Sequence, residues 1–337
     1  MDHEPTTNRE DEAAIAEHAF GEDYVRIATP TRNGRRVAVI GAGPAGLAAA
    51  HDLNLMGYEV TVLEAREDAG GLLRYGIPNF KLNKVVIDRR MRVLRAEGIT
   101  FSFGQHIDLE ALPAGYDAYV VATGTPQARD LNIPGRELHG VYFALDMLSQ
   151  QNRILAGMEF KKDQLVSAKG KDVLVIGGGD TGSDCIGTAH RQGCKSVTQI
   201  EIMPRPVEGP DDPRNPWPAW PRTLKTTSSH EEGCTRRWNI NSLEFLGRDG
   251  RLTGVRVQPI DWKPNPEGGR PLMVEAGKPE VIKADMVLLA MGFLKPQLPA
   301  FADNVVVAGD AASGASLVVR ALASGRQAAR KVQAMLG

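Results

Sequence analysis

Two copies of the pattern Gly-x-Gly-x-x-Gly follow short apolar runs, at residues 37–40 and 173–176. In such a turn the first glycine permits a tight bend, the second lets the backbone approach a pyrophosphate, and the third lets the next helix pack against the strand. That helix offers free N–H groups and the positive end of its dipole to the anion. Two copies therefore predict two bound dinucleotides. The glycines are Gly41, Gly43 and Gly46 in the first turn and Gly177, Gly179 and Gly182 in the second.

An acidic residue follows each turn at the end of the next apolar strand. Glu64 ends the run 58–64, where a carboxylate accepts hydrogen bonds from the ribose hydroxyls of an adenosine. FAD and NAD both carry a free 2′-hydroxyl, so both fit the first turn. Glu201 occupies the corresponding place after the second turn and favours NADH. The alternative is NADPH, whose 2′-phosphate can pair with basic residues nearby in sequence. These are Arg191, Lys195 and Arg205.

A third apolar strand, residues 304–308, ends on Gly309 and Asp310 and precedes a predicted helix over residues 316–335. An aspartate at this position can bind a ribityl hydroxyl. The positive end of the following helix can stabilise negative charge on a reduced flavin. An N-cap role for Asp310 is the alternative. Together with the first glycine turn, this segment predicts that the first dinucleotide is FAD.

The elements around these motifs alternate between apolar strands and helices, which predicts the α/β class with parallel sheets. We expect helices over residues 11–20, 44–56 and 84–97, and an irregular segment over residues 70–82. Residues 120–124 and 285–292 repeat one pattern, an apolar strand stopped by glycine, which indicates internal duplication. Residues 204–238 are rich in proline at their centre, which is typical of neither a helix nor a central strand. We predict that they form an ordered loop or lid over the second nucleotide, with surface packing as the alternative.

Composition limits the classes of function. The 337 residues carry a net charge of −1, which gives no reason to expect nucleic acid or an anionic membrane as a partner. Neither a membrane-spanning apolar stretch nor a signal peptide is recognisable, so we expect a cytoplasmic protein. The three cysteines, Cys185, Cys194 and Cys234, form no Cys-x-x-Cys pair and are fewer than a cubane iron–sulfur cluster usually takes. We therefore predict no redox dithiol and no metal site.

Several longer motifs resemble the small (β) subunit family of bacterial NADPH-dependent glutamate synthase, over about residues 10–337. They are Gly70-Gly71-Leu72-Leu73-x-Tyr75-Gly76-Ile77-Pro78-x-x-Lys81-Leu82, Gly177-Gly178-Gly179-Asp180-Thr181-Gly182-Ser183-Asp184-Cys185, Ile200-Glu201-Ile202-Met203-Pro204, Asn215-Pro216-Trp217-Pro218 and Ser316-Leu317-Val318-Val319. The resemblance implies a disulfide-reductase-like flavoprotein with two Rossmann-like domains, an FAD domain interrupted by an inserted NAD(P)H domain. We place an N-terminal arm at residues 1–33, the FAD domain at 34–145 and 296–337, and the NAD(P)H domain at 146–295.

The resemblance also implies hydride transfer from NADPH to FAD, with electrons passed to a partner. In the complete enzyme the partner is the large subunit, which makes glutamate from glutamine and 2-oxoglutarate. Members of the family usually begin with a cysteine-rich domain that holds iron–sulfur clusters, and we expect this chain to correspond to the part after it. The connection from residue 293 to 308 is shorter than usual, and residues 311–314 replace a frequent arginine pair.

Hydride transfer between two cofactors needs no protein nucleophile, so we predict no catalytic acid or base. Two alternatives stay open: a non-catalytic or regulatory flavoprotein scaffold, and a stand-alone NAD(P)H reductase of a small acceptor such as a quinone. The candidate cofactor-binding residues are Gly41, Gly43, Pro44, Ala45, Gly46, Glu64, Gly71, Leu72, Thr123, Gly124, Gly177, Gly179, Asp180, Thr181, Gly182, Arg191, Lys195, Arg205, Gly309, Asp310 and Ser316.

Overall fold

The computed structural model describes residues 7–208 and 223–337. Within them the strands are β1 (Arg36–Ile40), β2 (Glu59–Leu63), β3 (Thr100–Ser102), β4 (Ala118–Val121), β5 (Val141–Phe143), β6 (Asp172–Ile176), β7 (Ser196–Ile200), β8 (Thr235–Arg237), β9 (Ile240–Arg248), β10 (Arg251–Lys263), β11 (Leu272–Glu275), β12 (Glu280–Lys283), β13 (Met286–Leu289) and β14 (Val305–Val307). The helices are α1 (Asn8–Gly21), α2 (Pro44–Leu55), α3 (Leu72–Tyr75), α4 (Val85–Ala96), α5 (Ala144–Leu155), α6 (Asp180–Arg191), α7 (Ser228–Glu231), α8 (Asp310–Ser313) and α9 (Val318–Leu336).

Two parallel five-stranded sheets form the frame. The first has the order β14-β4-β1-β2-β3 and the second the order β5-β13-β6-β7-β8. In each sheet a glycine turn follows the central strand, β1 or β6, and leads into a helix, α2 or α6. These strands are aliphatic and almost fully buried, as expected for parallel strands covered on both faces. The equivalent strands thus occupy equivalent places, as the predicted internal duplication requires.

The two sheets have separate hydrophobic cores. One core joins β1, β2 and β4 to α2, α4 and α9 and uses buried residues from two ranges, 37–122 and 306–332. The second sheet has a core on each face, built by buried residues between positions 141 and 290. None of these three clusters combines buried residues from the ranges of the first core with buried residues from positions 141–290. The predicted domain boundaries themselves stay a prediction.

An antiparallel sheet of β9, β10, β11 and β12 follows the second parallel sheet, and the sequence analysis did not anticipate it. It packs through Phe245, Leu252 and Val255 against one face of the second parallel sheet. Its long strand β10 contains Pro259 and shifts register twice against β9, so its pattern lacks the regular alternation that indicates a strand.

Three local predictions need correction. The segment predicted to be irregular contains the helical turn α3, which Gly71 opens with a positive φ of 52°. The segment predicted as a loop over residues 204–238 contains α7 and the edge strand β8. Its central prolines and tryptophans, with the motif at residues 215–218, lie outside the described residues. The last helix begins at Val318 rather than at Ser316.

The N-terminal helix α1 buries none of its residues. It contacts α4 through Glu17, which pairs with Arg89 at 2.7 Å, and through Phe20, whose ring lies 3.9 Å from the same guanidinium. This contact fits the predicted arm. In the part of the chain that the structure describes, no helix has the length and apolar character needed to span a membrane.

Candidate cofactor-binding site

The first glycine turn joins β1 to α2, and two of its glycines are required by the protein itself. Gly41 has a φ of +101°, and a Cβ added there would lie 2.5 Å from the Ala122 carbonyl oxygen. At every other glycine, a distance from a Cβ likewise refers to an added Cβ. A Cβ on Gly46 lies 1.9 Å from the Gly41 carbonyl oxygen. No side chain larger than hydrogen fits at either place, because both neighbours are backbone atoms. The turn is therefore bent and packed as the motif predicts.

The middle glycine, Gly43, has no protein atom in close contact with the position that a Cβ would occupy. The nearest atom to a Cβ there is the Gly71 Cα at 4.0 Å, so the protein does not itself demand glycine. Gly43 stands at the N-cap of α2, and no side chain caps this helix. Pro44 begins the helix without an N–H to satisfy, and Ala45 follows it. An open glycine at an uncapped helix N-terminus fits a pyrophosphate.

Glu64 lies at the same edge and is 8% exposed. Its Oε2 accepts a hydrogen bond from the Ala42 N–H at 2.7 Å, inside the turn. Its Oε1 accepts from the Arg66 N–H at 2.9 Å. The carboxylate therefore holds the turn in place, while each oxygen keeps a further lone pair for a ribose hydroxyl.

Distant segments meet at this turn. A Cβ on Gly71 lies 2.9 Å from the Gly43 Cα, and Leu72 beside it is 38% exposed. A Cβ on Gly309 lies 2.6 Å from the Ala45 Cβ, which brings Asp310 to the start of α2. Thr123 and Gly124 follow β4, next to the Ala122 carbonyl that contacts the turn. The structure thus gathers the residues predicted for the first dinucleotide at one sheet edge.

Asp310 does not act as the N-cap that the alternative assigned to it. It is the first residue of α8, Gly309 holds the cap position, and no side chain caps the helix. The Asp310 carboxylate instead accepts a 2.6 Å hydrogen bond from the Ser316 hydroxyl. This bond orients the acid beside the first turn.

The second turn joins β6 to α6 and repeats the first. A Cβ on Gly177, with φ of +123°, lies 2.2 Å from the Ala290 carbonyl oxygen, and one on Gly182 lies 2.6 Å from the Gly177 carbonyl oxygen. Gly179 has nothing within 4 Å and caps α6 without side-chain help. Asp180 and Thr181 form the opening turn of this helix.

Glu201 repeats the role of Glu64. Its Oε2 accepts from the Gly178 N–H at 2.5 Å and its Oε1 from the Met203 N–H at 3.2 Å. Both oxygens therefore already hold backbone groups around the second turn. Its position after β7 is thus explained by the architecture of the turn, whichever nicotinamide nucleotide binds there.

Two of the basic residues predicted for a 2′-phosphate lie elsewhere. Lys195 precedes β7 and pairs with Asp172 at 3.1 Å, at the amino edge of the second sheet, opposite to the turn. Arg191 lies at the far end of α6 and pairs with Glu232 at 2.6 Å. The structure does not bring either side chain to Glu201, and we leave both out of the proposed nicotinamide site.

Arg205 does lie beyond the carboxyl end of β7, together with a residue that the sequence analysis missed. The Arg205 guanidinium lies 5.1 Å from the Trp238 ring centroid and the Arg236 guanidinium 5.0 Å from it. Arg236 lies on β8 opposite Gln199, and burial lowers the pKa of its guanidinium. The run Thr235-Arg236-Arg237 was the available signal in the sequence.

Comparisons with known proteins agree with this geometry. The sequence model of the pyridine nucleotide-disulphide oxidoreductase family matches residues 35–216. The glutamate synthase (NADPH) small chain of Mycobacterium tuberculosis is 40% identical over 100% of this chain and 74% of that protein. The glutamate synthase (NADH) of Schizosaccharomyces pombe is 39% identical over 95% of this chain, which corresponds to 17% of that protein.

Solved structures share the fold at low sequence identity. Mycobacterium tuberculosis FprA in complex with NADPH superimposes with a TM-score of 0.71 at 17% identity, covering 90% of this chain and 84% of that one. Thioredoxin reductase of T. acidophilum gives a TM-score of 0.61 at 19% identity, covering 89% and 99%. These likenesses confirm the predicted α/β fold of the disulfide-reductase type. The three cysteines of this chain are free thiols.

Proposed function

This chain belongs to the pyridine nucleotide-disulphide oxidoreductase family and, within it, to the glutamate synthase small chains, and we propose on this premise that it transfers a hydride from NADPH to FAD. FAD binds at the first turn and NADPH at the second. The electrons then pass to a partner protein.

The observation that carries this proposal is the repeated open glycine. Gly43 and Gly179 stand at uncapped helix N-termini with no protein atom that requires a glycine, whereas the other fingerprint glycines pack against backbone. Each open position leaves room for a pyrophosphate next to backbone N–H groups. A chain with two such places, one per sheet, fits two dinucleotides.

The residues supply binding and orientation, and the bound cofactors supply the redox chemistry. Glu64 fixes the first turn and offers lone pairs to the adenosine ribose of FAD. Asp310, oriented by the hydrogen bond from Ser316, would bind a hydroxyl of the ribityl chain. Asp180 and Thr181, in the first turn of α6, would hold the pyrophosphate of NADPH.

Arg205 and Arg236 support NADPH as the donor. Both guanidiniums lie about 5 Å from the Trp238 ring, near the carboxyl end of β7, where they would be placed to pair with a 2′-phosphate on the adenosine of the second nucleotide. The exposed pair of Arg205 with Glu208 is worth at most about 1 kcal/mol, so a phosphate can replace it. Relatives are named for either nucleotide, and these two arginines are our basis for the 2′-phosphate.

The electron acceptor that we propose is a protein of the glutamate synthase large-subunit kind, or another iron–sulfur or flavin protein. The support is the naming of the bacterial relatives as small chains and the position of the matching segment inside a much longer yeast polypeptide. The cytoplasmic location predicted from the sequence remains part of this proposal.

An anaerobic titration tests the function. The purified chain should carry FAD, and NADPH should bleach its visible absorbance, with NADH at least about tenfold less effective. Addition of an artificial electron acceptor should restore the oxidised spectrum repeatedly. Bleaching without turnover would favour the regulatory scaffold instead, and no bleaching by either nucleotide would refute the proposal.

A further inference from the structure

We call each parallel sheet with the helices packed on it a unit, the first around β1 and the second around β6. A loop of the first unit contacts the second and has no role in the cofactor sites described above. We call residues 77–84 the docking loop. Lys84 fixes its shape by donating hydrogen bonds from Nζ to the carbonyls of Leu73, Ile77 and Leu82 at 2.9, 2.6 and 3.0 Å. Asn152 of α5 donates to the same Ile77 carbonyl at 3.0 Å. These hydrogen bonds hold the shape of the loop and join its start to α5 of the second unit.

The middle of the docking loop contacts α6, the helix of the second glycine turn. A Cβ on Gly187 of α6 lies 2.7 Å from the Phe80 Cζ, so only a residue without a side chain allows this approach. The Arg191 guanidinium lies 3.6 Å from the Phe80 ring centroid and covers its face.

Lys81 makes the polar contact with the same helix. Its Nζ lies 2.6 Å from the Asp184 Oδ1 and donates to the Ser183 Oγ at 2.9 Å. The two charged side chains are 25% and 13% exposed. At this burial the loss of one partner leaves the other charge uncompensated, which costs far more than an exposed pair.

A chain of hydrogen bonds continues from Lys81 to the second turn. Its contacts are Ser183 Oγ to Thr227 Oγ1 at 2.6 Å, Thr227 Oγ1 to His230 Nδ1 at 2.9 Å, His230 Nε2 to Gln199 Oε1 at 3.1 Å, and Gln199 Nε2 to the Gly177 carbonyl at 2.8 Å.

The donor and acceptor in each of these bonds can be assigned by starting from the Gly177 carbonyl. The Gly177 carbonyl can only accept, so the Gln199 amide nitrogen donates to it and its oxygen accepts from the His230 Nε2–H. Nδ1 of His230 is then the acceptor, which the 3.1 Å bond from the Thr227 N–H also requires. The donors therefore all point from Lys81 towards the turn, an arrangement in which neighbouring bonds strengthen one another.

The docking loop matters for the orientation of the two units because the other contacts between them are mostly polar. Among residues 7–208 and 223–337, no buried hydrophobic cluster includes residues of both units. Their further contacts include the pair of Arg153 with Glu67 at 2.6 Å and the Arg153 guanidinium 4.9 Å from the Tyr75 ring centroid. Polar interfaces of this kind permit relative motion unless something fixes them. Hydride transfer requires the two reacting atoms to be held about 3–3.5 Å apart.

Resting on the function proposed above, we propose that Lys81 is a positioning residue. Through Asp184 and Ser183 it fixes α6, and with it the second glycine turn, in the orientation that brings the nicotinamide to the flavin.

The substitution Lys81→Met tests this role, with Lys169→Met, an exposed lysine, as its matched control. At saturating NADPH, the rate of FAD bleaching in stopped flow should fall about 10–100-fold in Lys81→Met, since a displacement near 1 Å can cost 100-fold. The NADPH concentration for half-maximal rate should change less than about threefold. Lys81→Arg should recover most of the rate because it keeps the charge beside Asp184.

Gly187→Ala tests the same contact without changing a charge. The added methyl group displaces Phe80 or Ser229, whose Oγ lies 2.6 Å from a Cβ there, while alanine favours the helix itself. Hydrogen exchange on the protein without cofactors supplies a readout independent of activity. Both variants should raise exchange in residues 77–84 and in the first turn of α6 about tenfold or more.

Unchanged bleaching rates in both variants, or unchanged exchange in both, would overturn the positioning role. If NADPH fails to bleach even the unmodified protein, the proposed function fails, and hydrogen exchange still decides whether Lys81 fixes α6.

Discussion

Gly43 and Gly46 belong to one sequence pattern but have different neighbours. A Cβ on Gly46 lies 1.9 Å from a carbonyl oxygen, whereas one on Gly43 meets no atom closer than 4.0 Å. The φ of −76° at Gly43 is open to any residue. The two positions therefore separate what the fold requires from what the pyrophosphate requires.

This difference predicts opposite outcomes for two alanine substitutions. Gly43→Ala should leave the free energy of unfolding of the cofactor-free protein within about 1 kcal/mol and abolish FAD retention, because the methyl group enters the space for the phosphates. Gly46→Ala should destabilise the cofactor-free protein by about 3 kcal/mol or more, because overpacking here meets backbone. Urea unfolding and the ratio of bound FAD to protein provide the measurements. Gly21→Ala, where a Cβ has no neighbour within 4 Å, is the control.

A second prediction concerns the choice of nicotinamide nucleotide. Arg236→Gln and Arg205→Gln should each lower kcat/KM for NADPH about 10–100-fold, the effect of losing one charge-assisted hydrogen bond of about 1.5–3 kcal/mol. The value for NADH should change less than about threefold. Arg237→Gln, on the same strand but paired with Glu280, controls for the loss of an arginine. Equal losses for both nucleotides would place the arginines outside the 2′-phosphate site.

Sequence spacing located the glycine turns and the acids beside them, whereas the structure places two of the predicted bases, Arg191 and Lys195, away from Glu201. Glu64 and Glu201 follow directly at the carboxyl ends of their strands, so spacing alone was enough to place them. Lys195 is only six residues before Glu201 in sequence, but β7 between them carries the two residues to opposite edges of the sheet. Arg236 reaches the site from β8, and no local spacing relates it to the glycine turn.

At the scale of elements, the apolar parallel strands were predictable and the antiparallel sheet was not. Strands β1, β6 and β13 are continuous aliphatic runs because helices or a sheet cover both faces. Strands β11 and β12 are mostly exposed and carry charged residues, so burial leaves little trace in their composition. The docking loop, likewise, has a recognisable motif whose role depends on its contact with α6.

The small helix α7 carries a prediction for pH dependence. Burial, with Arg236 and Lys81 contributing, lowers the pKa of His230 to about 4. The unfolded chain keeps a histidine pKa near 6.5, so below that pH it binds a proton that the folded chain does not. The folded protein therefore loses stability as the pH falls from about 6.5 to 4, by an amount on the order of 1–3 kcal/mol.

Urea unfolding of the cofactor-free protein at pH 7 and pH 5 measures this effect. His230→Gln should be less stable at pH 7 by about 1–2 kcal/mol, because it disrupts the bonds to Thr227 and Gln199, and its stability should change less between the two pH values. The exposed His106→Gln should keep the pH dependence of the unmodified protein. A His230→Gln variant with the same pH dependence as the unmodified protein would show that another group is responsible.

At the scale of the whole molecule, the chain crosses between the units twice, and the two crossings pair. Ala128 and Phe293 form an antiparallel bridge, supported by the hydrogen bonds from the Arg129 N–H to the Gly292 carbonyl at 2.9 Å and from the Leu294 N–H to the Gln127 carbonyl at 2.8 Å. Every core residue of the second parallel sheet lies between these crossings, and the core of the first sheet uses none of them. We therefore propose that the second unit is an insertion whose two ends touch.

This geometry predicts that the second unit can be removed without unfolding the first. A two-residue turn joins antiparallel residues whose carbonyl and N–H are hydrogen-bonded, so Asn-Gly in place of residues 128–293 should close the chain between Gln127 and Leu294, which already form that bond. The shortened protein should unfold cooperatively and keep FAD, yet NADPH should no longer bleach it. Residues 129–292 alone should bind NADPH and no FAD. Circular dichroism, cofactor content and calorimetric titration with NADPH measure these outcomes. Loss of FAD from a folded shortened protein would mean that the second unit completes the first site, whereas loss of both folds would mean that the two cores depend on each other across a polar interface.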